Sequence, residues 1–376
     1  MEKFQKCPLY ADSALAYIDG ESLLLFFERS GRVYGLEREQ AALFLQIDEL
    51  LEKHEENSIP TLLPKISPSD IKRLIDLRFG RFEEGHEEYE APLSLGEFIE
   101  EDRERFCYDT GRVIFHIAYP NGELEEKIDP LFAHMRGEAG GKKRVNVDFE
   151  AVGSGWRLLF NSTPVATAAR GDTIPLILQE NMIILYYQCE PYLMAIHAGA
   201  VGVGSATLLL PGSSGSGKST LTAALLSKGH SLFSDEIALV DSDGGVSAIP
   251  FGINIKEGSW EVLSDRYPSL KDARTYMRFD GRRVKSLPPR NLSKRRGEVS
   301  VLVFPRYIEG GESRVRSLGA CETLKLIKEA GYQLGSPLTV SSFEEILSTI
   351  LSVPAYSMEY GSLEEGVESL ERLVGR

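Results

Sequence analysis

The chain has 376 residues, 42% of them hydrophobic and 26% charged, with a formal net charge of −14. That length exceeds one small core and implies two or three domains, and the acidic balance argues against a general nucleic-acid or membrane-surface binder. Cys7, Cys107, Cys189 and Cys321 are scattered without Cys-x-x-Cys spacing, a pattern that points away from a disulfide framework or zinc site and suits a reducing cytoplasm. The opening residues Met1-Glu-Lys-Phe-Gln lack the apolar core of a signal peptide. Apolar runs such as residues 182–187 are too short to span a bilayer.

Residues 1–90 read as a small α+β, winged-helix-like unit. Ser22-Leu-Leu-Leu-Phe-Phe27 and Arg32-Val-Tyr-Gly-Leu36 flank a turn at Arg29-Ser-Gly31, which predicts a β-hairpin. An amphipathic helix is expected over 38–52, with Ala41, Phe44, Leu45, Ile47 and Leu51 as its apolar positions. A second helix is expected from about Pro68 to Leu77, capped by Ser67 or Ser69. Residues 81–105 hold ten acidic and three basic residues with Gly85, Pro92 and Gly96, and read as an acidic hinge. Strand-like alternation recurs over 112–119, 144–149 and 156–160, with a turn at Pro120-Asn-Gly122. Residues 173–187 read as a helix with Pro175 near its start. The stretch 91–190 is therefore expected to be a hinge and β-rich lobe that feeds a helix onto the remainder, and its lone His116 and His134 read as core or surface residues.

The chemistry concentrates in 191–376. Gly212-Ser-Ser-Gly-Ser-Gly-Lys-Ser219 fits Gly-x-x-x-x-Gly-Lys-[Ser/Thr], lies after the apolar run Thr207–Leu210 and before a helical stretch over 220–228, and so predicts a phosphate-binding loop. Gly212, Gly215 and Gly217 let the backbone bend round a phosphate. The N–H groups of Ser213, Ser214, Gly215, Ser216, Gly217, Lys218, Ser219 and Thr220 are candidates to hold it, with the positive helix end behind them. Lys218 is expected on the outer phosphates and Ser219 on a magnesium ion. Ser231-Leu-Phe-Ser234 reads as the next strand, buried and parallel, with Asp235 and Glu236 at its C-terminal end, 17 residues after Lys218. His197 stands 21 residues before that lysine, on the strand leading in.

Further along, 237–240 and 246–249 predict a hairpin around Asp241-Ser-Asp-Gly-Gly245, and Lys256 follows the strand 253–255 as a second candidate for the phosphate site. Residues 278–296 carry eight basic residues against Asp280. They are read either as a grip on phosphates or an acidic substrate, or as a solvated loop. The buried strand 299–304 ends at Pro305-Arg306, which makes Arg306 a candidate to stabilise a transferring phosphoryl group. Helices over 322–330, 342–350 and 363–374 and a strand over 356–360 complete the chain.

His197-Ala198, the loop 212–219, Lys228-Gly229-His230 and Asp235-Glu236 together resemble the HPr kinase/phosphorylase family, strongly over 194–241 and loosely over 242–376. The resemblance implies an α/β fold whose P-loop kinase core is of the HPr kinase/PEP-carboxykinase-like type. It implies ATP and Mg2+ as cofactors, Asp235 as general base towards a serine hydroxyl, Glu236 as a metal-side carboxylate and His197 beside the base. In that family the second acid is usually Asp, and its Glu-led glycine-rich signature is not recognisable over 251–258, so phosphorylase activity is not expected. The run Asp19-Gly-Glu-Ser-Leu-Leu-Leu-Phe-Phe27 through Gly35-Leu-Glu-Arg-Glu-Gln-Ala-Ala42 resembles PqqD-like peptide-binding domains, which implies capture of a peptide as an added strand.

The expected activity is thus an ATP-dependent serine kinase with a peptide or protein partner recruited by the N-terminal unit. A small hydroxyl metabolite as acceptor, or a nucleotide-binding regulator that only gates a partner, keeps the same fold, and two adjacent acids favour chemistry over a mere switch. The acceptor's identity, ATP against GTP and a homo-oligomer are left open by the residues.

Overall fold

The run 22–27 is apolar at every position after the first, and alternate strand residues point to opposite faces, so both faces of this strand must be covered. The computed structural model, which describes residues 4–7, 9, 14–81, 89, 91–137 and 143–375, meets that demand. Strands Gln5–Cys7, Leu15–Asp19, Ser22–Phe27 and Arg32–Leu36 form an antiparallel meander. Leu23, Leu25 and Phe27 face the helices Arg38–Leu51 and Pro68–Arg78, meeting Phe44, Ile47 and Ile71. Leu24 and Phe26 face the other way, into a core shared with Leu324, Ile327, Phe343 and Ile346 of the C-terminal half. Phe26 stacks on Phe343 at 5.0 Å, and Tyr17 meets that ring edge-on at 5.6 Å. Ser67, not Ser69, caps the second helix by accepting from the Asp70 amide. The ion pair Arg78–Asp48 is buried between the two helices.

The expected hairpin and helices are present, together with two strands that the reading left out, and only the short Leu15–Asp19 carries any apolar alternation. Of the expected hinge, Gly85 lies outside the described residues. Residues 91–105 carry no helix or strand, yet they are pinned to the following sheet. The Gly96 amide donates to Thr163 Oγ1, the Asn146 side-chain Nδ2 donates to the Ile99 carbonyl, and Arg105 reaches Asp148.

That sheet has five strands in sequence order, Phe106–Asp109, Val113–Ile117, Lys143–Val152, Gly155–Phe160 and Thr163–Ala168. The second and third run parallel, and a parallel pair needs a crossover. The helix Gly122–Phe132 supplies it. Here the expected turn at Pro120-Asn-Gly122 is corrected: Asn121 is an N-cap that accepts from the Leu124 amide. Helix Ile174–Gln188, with Pro175 in its first turn, packs on this sheet through Leu178, Met182 and Leu185.

The largest sheet, of ten strands, carries the sequence motifs. Its centre is the parallel set Ala206–Pro211, Gly297–Tyr307 and Ala355–Tyr360. Strand Ser231–Ser234 departs from the expected parallel neighbour: it pairs antiparallel with Ala198–Val203, which is itself hairpinned to Ala206–Pro211. The helices Lys218–Ser227 and Leu363–Val374 cover one face through Leu221, Leu225, Val367 and Leu370. A three-stranded sheet of Ile253–Lys256, Thr275–Met277 and Arg283–Leu287 stands beside the first of these helices. On the other face lie Ala320–Ala330 and Val340–Ile346, the latter continued by a π-helical turn over Leu347–Leu351. The molecule is thus mixed α/β with several sheets, and among the described residues no helix is long and apolar enough to cross a membrane.

Because Phe343 anchors the first sheet to the last third of the chain, Phe343→Ala is expected to cost about 3–5 kcal/mol, the usual loss for emptying a buried aromatic site. Urea unfolding measures it, and a loss below about 1 kcal/mol would show that the contact does not hold the two parts together.

Candidate active site

The turn from strand Ala206–Pro211 into helix Lys218–Ser227 is a wall of the main cleft. Gly215 and Gly217 take φ values of 96° and 93°, which side-chain-bearing residues rarely adopt. At Gly217 there is a second constraint, since a Cβ would stand 1.8 Å from the Tyr360 hydroxyl. The loop's start is tied back by the Gly212 amide, which donates to the His197 carbonyl at 3.4 Å, and its end by the Tyr307 amide, which donates to the Ser216 carbonyl at 3.3 Å.

Above the loop opens a cavity of about 620 Å3, lined by 213–220 and by His197, Glu236, Lys256, Arg278, Tyr307 and Tyr360. Lys218 is 6% exposed and its Nζ has no hydrogen-bond partner. Burial lowers its pKa, against the pull of Glu236 and Asp235. Ser216 Oγ, Thr222 Oγ1 and Asp235 Oδ1 are buried without partners in the same region. Buried polar atoms are seldom left unpaired; Thr222 and Asp235 lie against each other, whereas Lys218 Nζ and Ser216 Oγ belong to the lining of the cavity and fit a polar, anionic ligand there.

The adjacent acids diverge. Asp235 is buried, with its carboxyl raised by that burial and drawn back by Lys218, and the hydroxyls of Ser219 and Thr222 stand beside it. Glu236 turns into the cleft, where 44% of its side chain is open. Crowding at the cleft floor would raise its carboxyl, but His197, Lys218 and Arg278 outweigh that and hold it at about 2. His197 Nε2 lies 3.6 Å from Glu236 Oε1, while Nδ1 stands 3.0 Å from the Ala330 carbonyl. A carbonyl only accepts, so Nδ1 is the donor there, and Nε2 presents a proton to Glu236 only in the imidazolium form. The expected neighbour of Asp235 is therefore the neighbour of Glu236.

No protein-family model and no curated protein matches this chain. The site thus rests on its own geometry. That geometry brings together 213–220, His197, Glu236 and Lys256, whose Nζ donates to Ser214 Oγ at 2.7 Å, while Asp235 is buried next to Lys218, Ser219 and Thr222 and does not line the cleft. From the basic segment, Arg282 donates to the same hydroxyl and Arg278 lines the cleft, whereas Arg290 lies over Tyr267 and Arg296 pairs with Asp241. Thr220 is occupied with Ser259 Oγ at 2.7 Å. Arg306 stands outside the cleft: its side chain is 75% exposed, lies 3.5 Å from Glu359, and lines a neighbouring groove that it shares with loop residues 212–216. Its neighbour Tyr307 lines both that groove and the cleft. Lys228 and His230 both engage Glu371 on the last helix, so this part of the motif is structural. Arg278, Tyr307 and Tyr360 were missed as site residues; only the local basic excess over 278–296 pointed towards the first.

Gly217→Ala is expected to lose about 1–2 kcal/mol to left-handed backbone alone, plus the cost of displacing Tyr360. Adding Tyr360→Phe should return the second part but not the first. Urea unfolding of the two single variants and the double variant measures this, and strictly additive losses would show that the two residues do not meet.

Proposed function

We propose that the chain is an ATP-dependent kinase that transfers the γ-phosphoryl group of Mg-ATP to a serine hydroxyl of a peptide or protein. The observation that carries this reading is the buried, unpartnered Lys218 ammonium beneath a glycine loop, with Lys256, Arg278 and Arg282 converging on the same cleft. Three cations lining one cavity, with Arg282 bonded to its Ser214, match a polyphosphate in a chain of net charge −14. An α/β core of the HPr kinase type is the fold this reading implies.

In the reaction the acceptor oxygen bonds to the γ-phosphorus, the bond to the leaving ADP oxygen breaks, and the hydroxyl proton passes to a carboxylate. Glu236 is the better-placed acceptor of that proton, since it opens onto the cleft. Its low basicity is tolerable, because phosphoryl transfer runs through a loose transition state in which positioning and charge stabilisation dominate. His197, fixed by the Ala330 carbonyl, orients Glu236. Ser219 and Asp235 are the residues that would hold magnesium, which when bound neutralises developing phosphate charge. Arg278 takes the phosphoryl-stabilising role that the strand end suggested for Arg306. Relative to the family expectation, the parts of the two acids are exchanged.

Isothermal titration tests the nucleotide half: Lys218→Ala is expected to abolish Mg-ATP binding, and unchanged affinity would remove the assignment. Transfer assays test the acids. Glu236→Gln is expected to bind Mg-ATP normally and lose about 10²–10⁴ in rate, the range for removing a general base. Asp235→Asn is expected to raise the magnesium concentration needed for half-maximal rate. A fully active Glu236→Gln beside a dead, ATP-binding Asp235→Asn would restore the roles in their original order.

A further inference from the structure

A second cavity, of about 290 Å3, adjoins the cleft and shares His197, Glu236, Asn254 and Arg278 with it. Its far wall is one face of helix Ile174–Gln188, where Leu176, Ile183 and Tyr187 recur at helical spacing beside Ile177 and Ile184. Phe279 forms the lip, 70% exposed and, among the described residues, the most exposed of the large apolar side chains. The polar groups of this cavity, apart from Gln179 and Glu180 on the helix, lie on the side shared with the cleft.

We infer that this cavity is the acceptor subsite: it receives an apolar side chain next to the serine in the acceptor peptide, and so sets that serine hydroxyl against Glu236. The inference rests on the kinase reading and narrows its substrate. Position comes first, because this cavity shares Glu236 and His197 with the cleft over the phosphate loop, so a hydroxyl next to a group seated here would face both Glu236 and the open side of the loop, the proximity that in-line transfer requires. Size comes next: 290 Å3 sits at the lower edge of small-ligand pockets, about 300 Å3, with room for one branched or aromatic side chain and none for a folded domain. Chemistry decides between acceptors. A sugar or polyol could pair some hydroxyls with Gln179, Glu180 or Asn254, but each one set against Leu176, Ile183 or Ile184 would lack a partner at a cost of about 1–3 kcal/mol, whereas an aliphatic or aromatic side chain on that wall gains from leaving water. Phe279 beside Arg278, its guanidinium 5.8 Å from the ring, offers such a group an apolar edge on entry.

The test uses the full chain with Mg-ATP and short serine peptides that differ only in the residue on either side of the serine, being leucine, phenylalanine, alanine or aspartate. Transfer to the leucine or phenylalanine peptides is expected to exceed that to the alanine peptide by at least about tenfold in kcat/KM, as apolar pockets discriminate by 10–200-fold. Ile184→Trp, which fills the cavity from a half-buried position, is expected to erase that preference and leave Mg-ATP affinity unchanged, while Ile184→Val keeps it. Equal transfer to all peptides, transfer to a hexose or glycerol in place of the apolar peptides, or no transfer to any peptide by a protein that binds Mg-ATP would each overturn the subsite. Absence of Mg-ATP binding by the wild-type protein would instead sink the kinase reading itself.

Discussion

The ammonium of Lys218 is the group on which the site depends. A buried cation without a hydrogen bond is costly, and this one persists because two carboxylates share the charge from different sides. Asp235 and Glu236 reach it from the end of a strand that does not touch the loop strand. Between them runs Ala198–Val203, which brings in His197 and, through the His197 carbonyl, ties down the start of the glycine loop. The lysine, the acids and the histidine are thus fixed by three adjacent strands whose order along the chain differs from their order in the sheet. The unpaired polar atoms show a site whose stability is given up locally and recovered in the apolar layers on either side of the sheet.

Local chemistry made part of this legible. The strand, glycine loop and helix are specified by neighbouring residues, and so are the hairpin over 22–36 and the last helix, whose apolar residues recur at strict helical spacing. Non-local pairing was not legible. Residues 231–234 read as an apolar strand, but nothing in them states that the neighbour is antiparallel. The helix Gly122–Phe132 was hidden because Pro120-Asn-Gly122 reads as a turn and Pro130 interrupts the pattern; the N-cap role of Asn121 appears only once the parallel pair demands a crossover.

The site residues follow the same division. Which strand end lies near the cleft was legible, and which side chain of two neighbours enters it was not. Tyr307 lines the cleft where Arg306 lines only the neighbouring groove, and Glu236 lines the cleft where Asp235 is buried. In both pairs one of two neighbouring side chains enters the cleft and the other does not, which motif spacing does not resolve.

The connection between the first sheet and the site is one helix. At its start, the Ala320 amide donates to Asp19 Oδ2 at 3.0 Å, and Cys321 seats against Gly35, where a Cβ would come within 3.2 Å of its sulfur. Along its length Lys328 donates to the Val33 carbonyl on the outer strand Arg32–Leu36. At its end, the Ala330 carbonyl meets His197 Nδ1 and the Gly331 carbonyl accepts from the His197 amide at 2.9 Å. The helix that orients His197, and through it Glu236, is thus held along its flank by residues 19–35. Cutting the chain near residue 90 would strip the apolar cover from Leu324 and Ile327 and loosen the support of the histidine. In this fold the proposed recruitment of a peptide by the first sheet would share this helix with the geometry of the cleft, so a loss of transfer after truncation would by itself be no measure of recruitment.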